Sequence, residues 1–152
     1  MKKNKVMILG AGKSGKTSIA HLLNGDTGPV KRTPNMVYGK NTLDVPGSYL
    51  ESPWMHKHII AAQQDASCVL MLVDPKKKKR SYPPMFSKSF RIPVLGVITK
   101  VDLAEDHEIE QCKEELASAG VQEPYLHFSL LDGKSREGLF HKVYDLAKIN
   151  EA

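Results

Sequence analysis

The chain has 152 residues, of which 41% are hydrophobic and 26% charged, so it suits one domain, residues 1–152, with a single core. No apolar run approaches the roughly 20 residues of a membrane-spanning helix, and Val6 to Leu9 after the basic start is too short for a signal peptide, so we expect a cytoplasmic protein without membrane insertion. The net charge of +5 is modest and no nucleic-acid-binding module is recognisable, which argues against nucleic acid as a partner.

A strand, a glycine-rich loop and a helix are the first predicted elements. Val6 to Leu9 is a short apolar run typical of a buried parallel strand, and Thr17 to Asn24 has its apolar residues at helical spacing. The loop between them matches G-x-x-x-x-G-K-[ST] and reads Gly10-Ala11-Gly12-Lys13-Ser14-Gly15-Lys16-Thr17.

This loop has the residue types that phosphate binding requires. Glycines allow consecutive backbone N–H groups to converge on a phosphate, and the following helix adds the positive end of its dipole. Lys16 would bridge the β- and γ-phosphates of a nucleotide, and the hydroxyl of Thr17 is a hard oxygen ligand suited to Mg²⁺. The motif therefore predicts a nucleotide-binding segment from Gly10 to Ser18.

A loop and a small hairpin are predicted next. The polar, turn-rich residues 25–35 indicate a loop, whereas Met36 to Tyr38 and Asn41 to Leu43 predict two antiparallel strands at the sheet edge. Asp44-Val45-Pro46-Gly47 follows directly and matches D-x-x-G. In that motif the aspartate holds Mg²⁺ through water and the glycine N–H reaches the γ-phosphate, so Asp44 and Gly47 are candidate site residues.

The middle of the chain predicts a helix, a strand and an exposed basic loop. A helix should follow Pro53, with an apolar side formed by Trp54, Met55, His58, Ile59, Ala61 and Ala62. Ser67 to Val73 is the clearest strand, and a short helix is expected around Met85 to Ser89. Between them, the five adjacent cations Lys76 to Arg80 repel one another, which favours a solvated, poorly ordered surface. Docking of an acidic partner is the alternative interpretation of this run.

A second motif closes the predicted strand Ile92 to Ile98. Thr99-Lys100-Val101-Asp102 matches [NT]-K-x-D. A carboxylate at the last position accepts both the N1–H and the 2-amino group of guanine, whereas adenine has a lone pair at N1 and no 2-amino group. Lys100 would lay its aliphatic stem along the base. The motif predicts that Thr99, Lys100 and Asp102 bind a guanine base.

The remaining elements continue the alternation of helix and strand. They are a helix from Glu105 to Ser118, a strand from Tyr125 to Phe128 and a helix from Ser135 to Ile149. Ser129-Leu130 ends the last strand, where a backbone N–H would meet the guanine O6. Cys68 and Cys112 have neither metal-ligand spacing nor a disulfide pattern, so we interpret both as reduced, structural thiols.

The alternation predicts an α/β fold: a mostly parallel sheet with one antiparallel edge strand and helices on both faces. Ligands of such sheets bind at the carboxyl ends of the strands, where the motifs fall. In this order the motifs resemble the Ras-like P-loop GTPase superfamily over almost the whole chain. The short interval from Thr33 to Asp44 and the run Asp44-Val45-Pro46-Gly47-Ser48-Tyr49 are similar to the EutP/PduV-like family of ethanolamine and propanediol utilisation.

The resemblance implies a three-layer P-loop NTPase fold, GTP or GDP as the ligand, Mg²⁺ as a cofactor and an association with bacterial microcompartments. It implies that Lys16 and Thr33, the switch threonine, are the catalytic residues. Thr17, Thr33 and Asp44 would surround Mg²⁺. Thr27 and Thr42 are competitors for the role of Thr33.

Two positions depart from the Ras-like pattern. Ras-like enzymes orient the attacking water with a glutamine after the D-x-x-G glycine, and this chain has Ser48, whose hydroxyl is too short. We therefore expect slow hydrolysis, helped by a partner, Tyr49 or Glu51. Thr99 replaces an asparagine whose amide ties the base site to the phosphate loop, and losing that hydrogen bond, worth about 1 kcal/mol, predicts several-fold weaker binding.

Three functions stay open at this point. The leading interpretation is a GTP-binding protein with slow Mg²⁺-dependent GTP hydrolysis that works with a microcompartment shell or effector protein. The second is a non-catalytic nucleotide-binding scaffold that docks to shell proteins. The third is an ATP-binding kinase acting on a small acid such as acetate, against which Asp102 argues.

Overall fold

In a computed structural model of the chain, the described residues are 5–11, 14–25, 31–32, 36–77 and 79–151. The strands are β1 (Lys5–Leu9), β2 (Lys31–Arg32), β3 (Val37–Tyr38), β4 (Thr42–Asp44), β5 (Ala66–Val73), β6 (Val94–Ile98) and β7 (Leu126–His127). The α-helices are α1 (Lys16–Asn24), α2 (Gly47–Glu51), α3 (His56–Ala62), α4 (Asp106–Ser118) and α5 (Gly133–Glu151). Shorter 3₁₀ turns are formed by Pro53–Met55, Gln63–Asp65, Phe86–Ser89 and Val101–Leu103.

The strands form one sheet in the order β2-β3-β4-β1-β5-β6-β7. β1 lies at the centre and pairs in parallel with β4 and β5, which places Met7 opposite both Leu43 and Val69. β6 and β7 extend the sheet in the same direction. The sheet is therefore mostly parallel, with its strand ends converging at one edge, as the alternation of elements predicts.

The antiparallel strand is β3, and it lies second from the edge of the sheet. It pairs antiparallel with β4 on one side and with β2 on the other. The prediction of one antiparallel strand at this end of the sheet is confirmed, with the two-residue β2 added outside it. The prediction of a loop over residues 25–35 is wrong at Lys31 and Arg32. Two polar residues are too short a strand to show any alternation, so the pattern of the sequence could not reveal β2.

Helices cover both faces of the sheet because successive residues of each strand point to opposite sides. On one face Met7 and Leu9 are buried in a cluster with Ile59 of α3 and Leu116 of α4. On the other face the neighbouring residues of β1 belong to a second cluster, together with Ile19 of α1 and Leu139 of α5. Burial of each of these large side chains contributes roughly 1.5–3 kcal/mol, so the two clusters hold the three layers together.

The predicted strands and long helices are confirmed. The segment directly after Gly47 differs from the prediction. The D-x-x-G motif leads directly into α2, which the sequence did not predict and which buries Tyr49 and Leu50. Pro53–Met55 is a 3₁₀ turn, whose spacing differs from that of α3, and the Trp54 side chain is 72% exposed. The expectation that Trp54 faces the core is therefore wrong, whereas Ile59 is buried as predicted.

The segment between β5 and β6 contains no long helix among its described residues, only the 3₁₀ turn Phe86–Ser89, as the sequence predicts. Tyr82 anchors this segment to β1 and β5, the strands that precede the two loops. Its buried hydroxyl lies 2.7 Å from the carbonyl oxygen of Leu72 and 3.2 Å from that of Leu9. Leu9 is the last residue of β1, so the segment contacts the strand that leads into the loop.

Two further expectations concern the cysteines and the membrane. Cys68 and Cys112 are both free and buried, and burial raises the pKa of each thiol to about 12, so both are protonated at neutral pH. This environment agrees with structural thiols.

No helix within the described ranges combines the length and the apolar character that crossing a membrane requires.

Candidate nucleotide-binding site

The glycine-rich loop connects the end of β1 to the start of α1 at the carboxyl edge of the sheet. Gly15 precedes α1 with a φ of 102°, a left-handed conformation that side-chain-bearing residues rarely adopt. A Cβ atom on Gly10 would overlap the hydroxyl of Ser14 and would lie 3.2 Å from the Cβ atom of Leu72. The backbone of the loop therefore requires glycine at Gly15, whereas at Gly10 neighbouring side chains occupy the space of a Cβ atom. The N–H groups in the first turn of α1 have no partner within the helix and face the loop.

Lys16 and Asp44 lie close together at this edge, and burial disfavours the charge of each. Burial lowers the pKa of Lys16, an effect that the nearby Lys77 reinforces and Asp44 opposes. Burial raises the pKa of Asp44, and Lys16 opposes that shift. Asp44 Oδ1 is buried and has no hydrogen-bond partner among the described residues. The charges of Lys16 and Asp44 therefore compensate each other only in part. Such a site is suited to a ligand that carries charges of its own.

Two cavities lie side by side along the loop. A cavity of about 320 Å³ is lined by Gly15, Lys16, Thr17, Ser18 and Lys100. A second cavity of about 300 Å³ is lined by Gly15, Ser18, Thr99, Lys100, Asp102, Leu103, Phe128, Leu130 and Leu131. Three residues, Gly15, Ser18 and Lys100, line both, so the polar cavity and the mainly apolar cavity adjoin each other and are together called the crevice below.

The apolar cavity is built by the loops after β6 and β7. Asp102 contributes the acidic group at this end, and Phe128 is the buried residue that follows β7. The side chains of Leu103 and Leu131 are 61% and 82% exposed, although both line the cavity. Large apolar side chains at the rim of a cavity with one carboxylate are suited to an apolar ring that carries hydrogen-bond donors.

Thr99 ties the apolar end of the crevice to the phosphate loop. Its buried hydroxyl donates to the carbonyl oxygen of Ser14 at 2.8 Å and lies 3.3 Å from that of Val73. The expectation that replacing asparagine by threonine loses this connection is therefore wrong. The threonine hydroxyl is short, but β6 ends directly beside the loop, so the hydroxyl still reaches a carbonyl of the loop.

Removing this hydroxyl tests the connection. Thr99→Val is expected to lower the free energy of unfolding by about 1–3 kcal/mol, because the shape is kept while a buried carbonyl loses its donor. Urea denaturation measures this change. Thr99→Ser keeps the hydroxyl and is the matched control, so an equal loss of stability in both variants would contradict a role for the hydrogen bond.

The basic loop Lys76 to Arg80, called the lysine loop below, follows β5 at the same edge. It is exposed and contains no regular structure at its described residues, as predicted, but it is attached to α4. Lys76 forms an ion pair with Glu108 at 3.0 Å, and Arg80 forms a longer one with Glu114 at 3.9 Å. The buried carboxylate of Glu115 accepts the N–H groups of Ser81 at 2.7 Å and Tyr82 at 3.2 Å. Lys76 and Arg80 therefore have local acidic partners, which the interpretation as a poorly ordered surface did not include.

Sequence reasoning missed Asp74, which joins the lysine loop to the crevice. Its carboxylate forms an ion pair with Lys100 at 3.1 Å. A signal was available, because Asp74 ends an apolar strand at the carboxyl edge in the same way as Asp44 does. Leu103 and Leu131 were missed because an exposed leucine in a loop gives no periodic signal.

The remaining predicted site residues differ in where they lie relative to the two cavities. Gly12, Lys13 and Thr33 lie outside the described residues. Gly10 and Ala11 are buried at the end of β1, and Gly47 begins α2. Leu130 lines the apolar cavity, whereas Ser129 is buried behind it and accepts the N–H of Leu131 on its hydroxyl at 3.3 Å.

The described part of the chain contains no group of three or more His, Cys, Asp or Glu side chains that could hold a metal ion. The candidate metal residues there are Thr17, which lines the polar cavity, and Asp44 with its unpartnered oxygen. Two oxygen ligands suit Mg²⁺, which usually binds through one or two protein ligands, water and the phosphates of a substrate.

Solved structures with the same fold include several GTP-binding proteins. The probable GTP-binding protein EngB matches with a TM-score of 0.63 and 18% identity over 95% of this chain and 98% of its own. The FeoB G-domain of Methanococcus jannaschii matches with a TM-score of 0.59 and 18% identity over 97% of this chain and 99% of its own. Elongation factor SelB of Methanococcus maripaludis, solved with the GTP analogue GPPNHP, has a TM-score of 0.64 and 18% identity, with 97% of this chain covering 34% of that protein. The chain therefore has the P-loop GTPase fold.

Sequence comparison gives the family. The propanediol utilization protein PduV of Citrobacter freundii is 27% identical to this chain over 126 residues, which are 83% of this chain and 84% of that protein. The family model for ethanolamine utilisation - propanediol utilisation, PduV-EutP, matches residues 2–143. The chain therefore belongs to the ethanolamine utilisation - propanediol utilisation family.

Proposed function

We propose that this protein binds GTP and GDP and hydrolyses GTP slowly with Mg²⁺. The observation that carries the proposal is the crevice, in which a polar cavity of about 320 Å³ adjoins an apolar cavity of about 300 Å³ and shares Gly15, Ser18 and Lys100 with it. A nucleotide has two parts that match these cavities: charged phosphates and a flat, largely apolar base. EngB is a probable GTP-binding protein and SelB was solved with a GTP analogue, which supports the same ligand for this chain.

The apolar end suits guanine. Asp102 is the acidic group at this cavity, and an ionised carboxylate accepts two hydrogen bonds from N1–H and the 2-amino group of guanine. Adenine cannot supply these donors and would leave the carboxylate unpaired. A base in the cavity would also cover the exposed faces of Leu103 and Leu131. Contact with a base would explain why two large apolar side chains lie exposed at the rim of the cavity.

The polar end suits phosphates and a magnesium ion. Lys16 and the N–H groups at the start of α1 would bind the β- and γ-phosphates. The buried, unpartnered Oδ1 of Asp44 and the hydroxyl of Thr17 would hold Mg²⁺, with Thr33 as a further proposed ligand. Bound Mg²⁺ would neutralise charge on the phosphate oxygens. A dication beside Asp44 would also remove the penalty of burying that carboxylate.

Slow hydrolysis follows from the residues after Gly47. Ser48 lies on α2, and its hydroxyl is shorter than the glutamine amide that orients water in Ras-like enzymes. Tyr49 is buried in the core, where its ring lies 6.4 Å from that of His58, so it packs with α3. Glu51 is exposed at the end of α2. We therefore propose that a partner protein supplies most of the rate enhancement.

Family membership supports a role in ethanolamine or propanediol utilisation. The PduV relative is described as a propanediol utilization protein, which supports the propanediol pathway for this chain. We propose that the partner is a shell or effector protein of a bacterial microcompartment and that the protein works in the cytoplasm. Nucleic acid and membrane insertion are not part of the proposal.

Calorimetric titration of the nucleotide-free protein with GTP, GDP and ATP, each with and without Mg²⁺, tests the proposed ligand. The expected result is binding of both guanine nucleotides, strengthened for GTP by Mg²⁺, with slow release of phosphate from GTP. Binding without release of phosphate would instead favour the non-catalytic scaffold, and absence of binding for all three nucleotides would overturn the proposal. Binding of ATP with phosphate transfer to acetate would favour the kinase.

A further inference from the structure

Asp74 lies at the carboxyl end of β5, between the crevice and the lysine loop, and uses both oxygens of its carboxylate. Oδ2 accepts a hydrogen bond from Lys100 Nζ at 3.1 Å. Oδ1 accepts the backbone N–H of Lys76 at 2.9 Å, and the carbonyl oxygen of Asp74 accepts the N–H of Lys77 at 3.0 Å. The Asp74 side chain is only 12% exposed, and the hydrogen bonds of the turn hold its carboxylate in place.

The Asp74 carboxylate restrains Lys100. Its φ of 53° places it in the left-handed region, directly before the turn Val101–Leu103. The Lys100 side chain lines both cavities, and it is 37% exposed. A lysine stem has four rotatable bonds, and an unrestrained one would occupy many positions before a ligand ordered it.

The pair with Asp74 restricts the side chain to fewer of these positions. It holds the ammonium group on the side of β5, so that the aliphatic stem remains beside both cavities. A ligand then meets an ordered apolar surface and does not have to immobilise the stem itself. Ordering of a long side chain is among the costs of binding, so its prior ordering strengthens binding.

We propose that Asp74 is a positioning residue for the guanine site: through its ion pair with Lys100 it holds the lysine stem against the space that the base occupies. The inference rests on the proposed function, since it requires a base beside Lys100. It assigns Asp74 an effect on GTP and GDP alike, because both nucleotides present the same base.

A purely local role for Asp74 is the alternative. Oδ1 closes the turn that begins the lysine loop, so its loss could disturb that loop without any effect through Lys100. Asp74→Asn separates the two roles, since the amide oxygen can still accept the N–H of Lys76 while the negative charge is removed. Lys100→Met removes the ammonium group and keeps an apolar stem of similar length.

The experiment measures GDP dissociation constants for the unaltered protein, Asp74→Asn, Lys100→Met and the double variant. We expect Asp74→Asn to weaken GDP binding about fivefold, a modest effect because the pair is partly exposed. In the Lys100→Met background, Asp74→Asn should have no further effect, since the carboxylate acts through the missing ammonium group. Lys76→Ala is the control: it removes the ion pair with Glu108, keeps the backbone N–H and should leave GDP affinity unchanged.

The outcomes distinguish this inference from the proposed function. Equal losses from Asp74→Asn in both backgrounds, or no loss in either, would overturn the positioning role while leaving GTP binding intact. Absence of guanine-nucleotide binding by the unaltered protein would overturn both. Amine acylation of the nucleotide-free protein, followed by mass spectrometry, adds a ligand-free readout. Faster labelling of Lys100 in Asp74→Asn is expected, and an unchanged rate would overturn the ion pair itself.

Discussion

Lys16→Met is expected to abolish nucleotide binding and to raise the melting temperature of the nucleotide-free protein. The ammonium group is the main cation of the polar cavity, and charge-assisted hydrogen bonds to phosphate are worth several kcal/mol together, so we expect GDP affinity to fall more than about a hundredfold. Without nucleotide, burial of the Lys16 charge is unfavourable, and its attraction to Asp44 does not compensate, because the pKa is lowered overall.

The sign of the stability change follows from that pKa. A folded pKa below the unfolded value of 10.5 means that the charged form destabilises the fold at neutral pH. The destabilisation disappears as the pH rises through the lowered pKa towards 10.5. Methionine removes it at every pH. The melting temperature of Lys16→Met should therefore exceed that of the unaltered protein at pH 7, and the difference should narrow as the pH rises.

Differential scanning calorimetry from pH 7 to pH 10 measures this difference. Because the ammonium group is still partly exposed, the gain at pH 7 should be small, on the order of 2 °C. Lys16→Arg keeps the charge and should lose binding without gaining stability. Lys142→Met, on the exposed face of α5, should change neither property. A lower melting temperature for Lys16→Met than for the unaltered protein would show that Lys16 stabilises the fold.

The strands and long helices could be predicted because burial leaves a periodic trace in the sequence. β5 is fully buried along its length and reads as a continuous apolar run, and β1 places alternate residues in the two core clusters. Short elements leave no such trace. β2 has two polar residues, and α2 has five residues directly after a motif, so neither could be recognised by periodicity.

The ends of the candidate site could be predicted, and the contacts between them could not. Motif spacing identified Lys16, Asp44 and Asp102, and the order of the parallel strands brings their loops to one edge of the sheet. The hydroxyl of Thr99 on Ser14 and the carboxylate of Asp74 on Lys100 join residues that are far apart in the chain. Such contacts depend on the distance between two loops, which the sequence does not specify.

Asp102→Asn is expected to change the preferred base from guanine to xanthine. The carboxylate would accept two hydrogen bonds from guanine, each worth about 1.5–3 kcal/mol when one partner is charged. The asparagine amide presents a donor where the 2-amino group of guanine also presents a donor, so one hydrogen bond is lost and the two groups repel. We expect GDP affinity to fall at least about a hundredfold.

Xanthine carries a carbonyl oxygen where guanine carries the 2-amino group, so the same amide can donate to it. The Asp102→Asn variant should therefore bind XDP more tightly than the unaltered protein does, and competition between XDP and GDP measures the change directly. Asp106→Asn, on the exposed first turn of α4, removes an equal charge outside the cavity and should leave both affinities unchanged. Because a general loss of folding would weaken both nucleotides, only a crossed change, with XDP gained and GDP lost, supports a contact between Asp102 and the base. Unchanged GDP affinity in Asp102→Asn would exclude that contact.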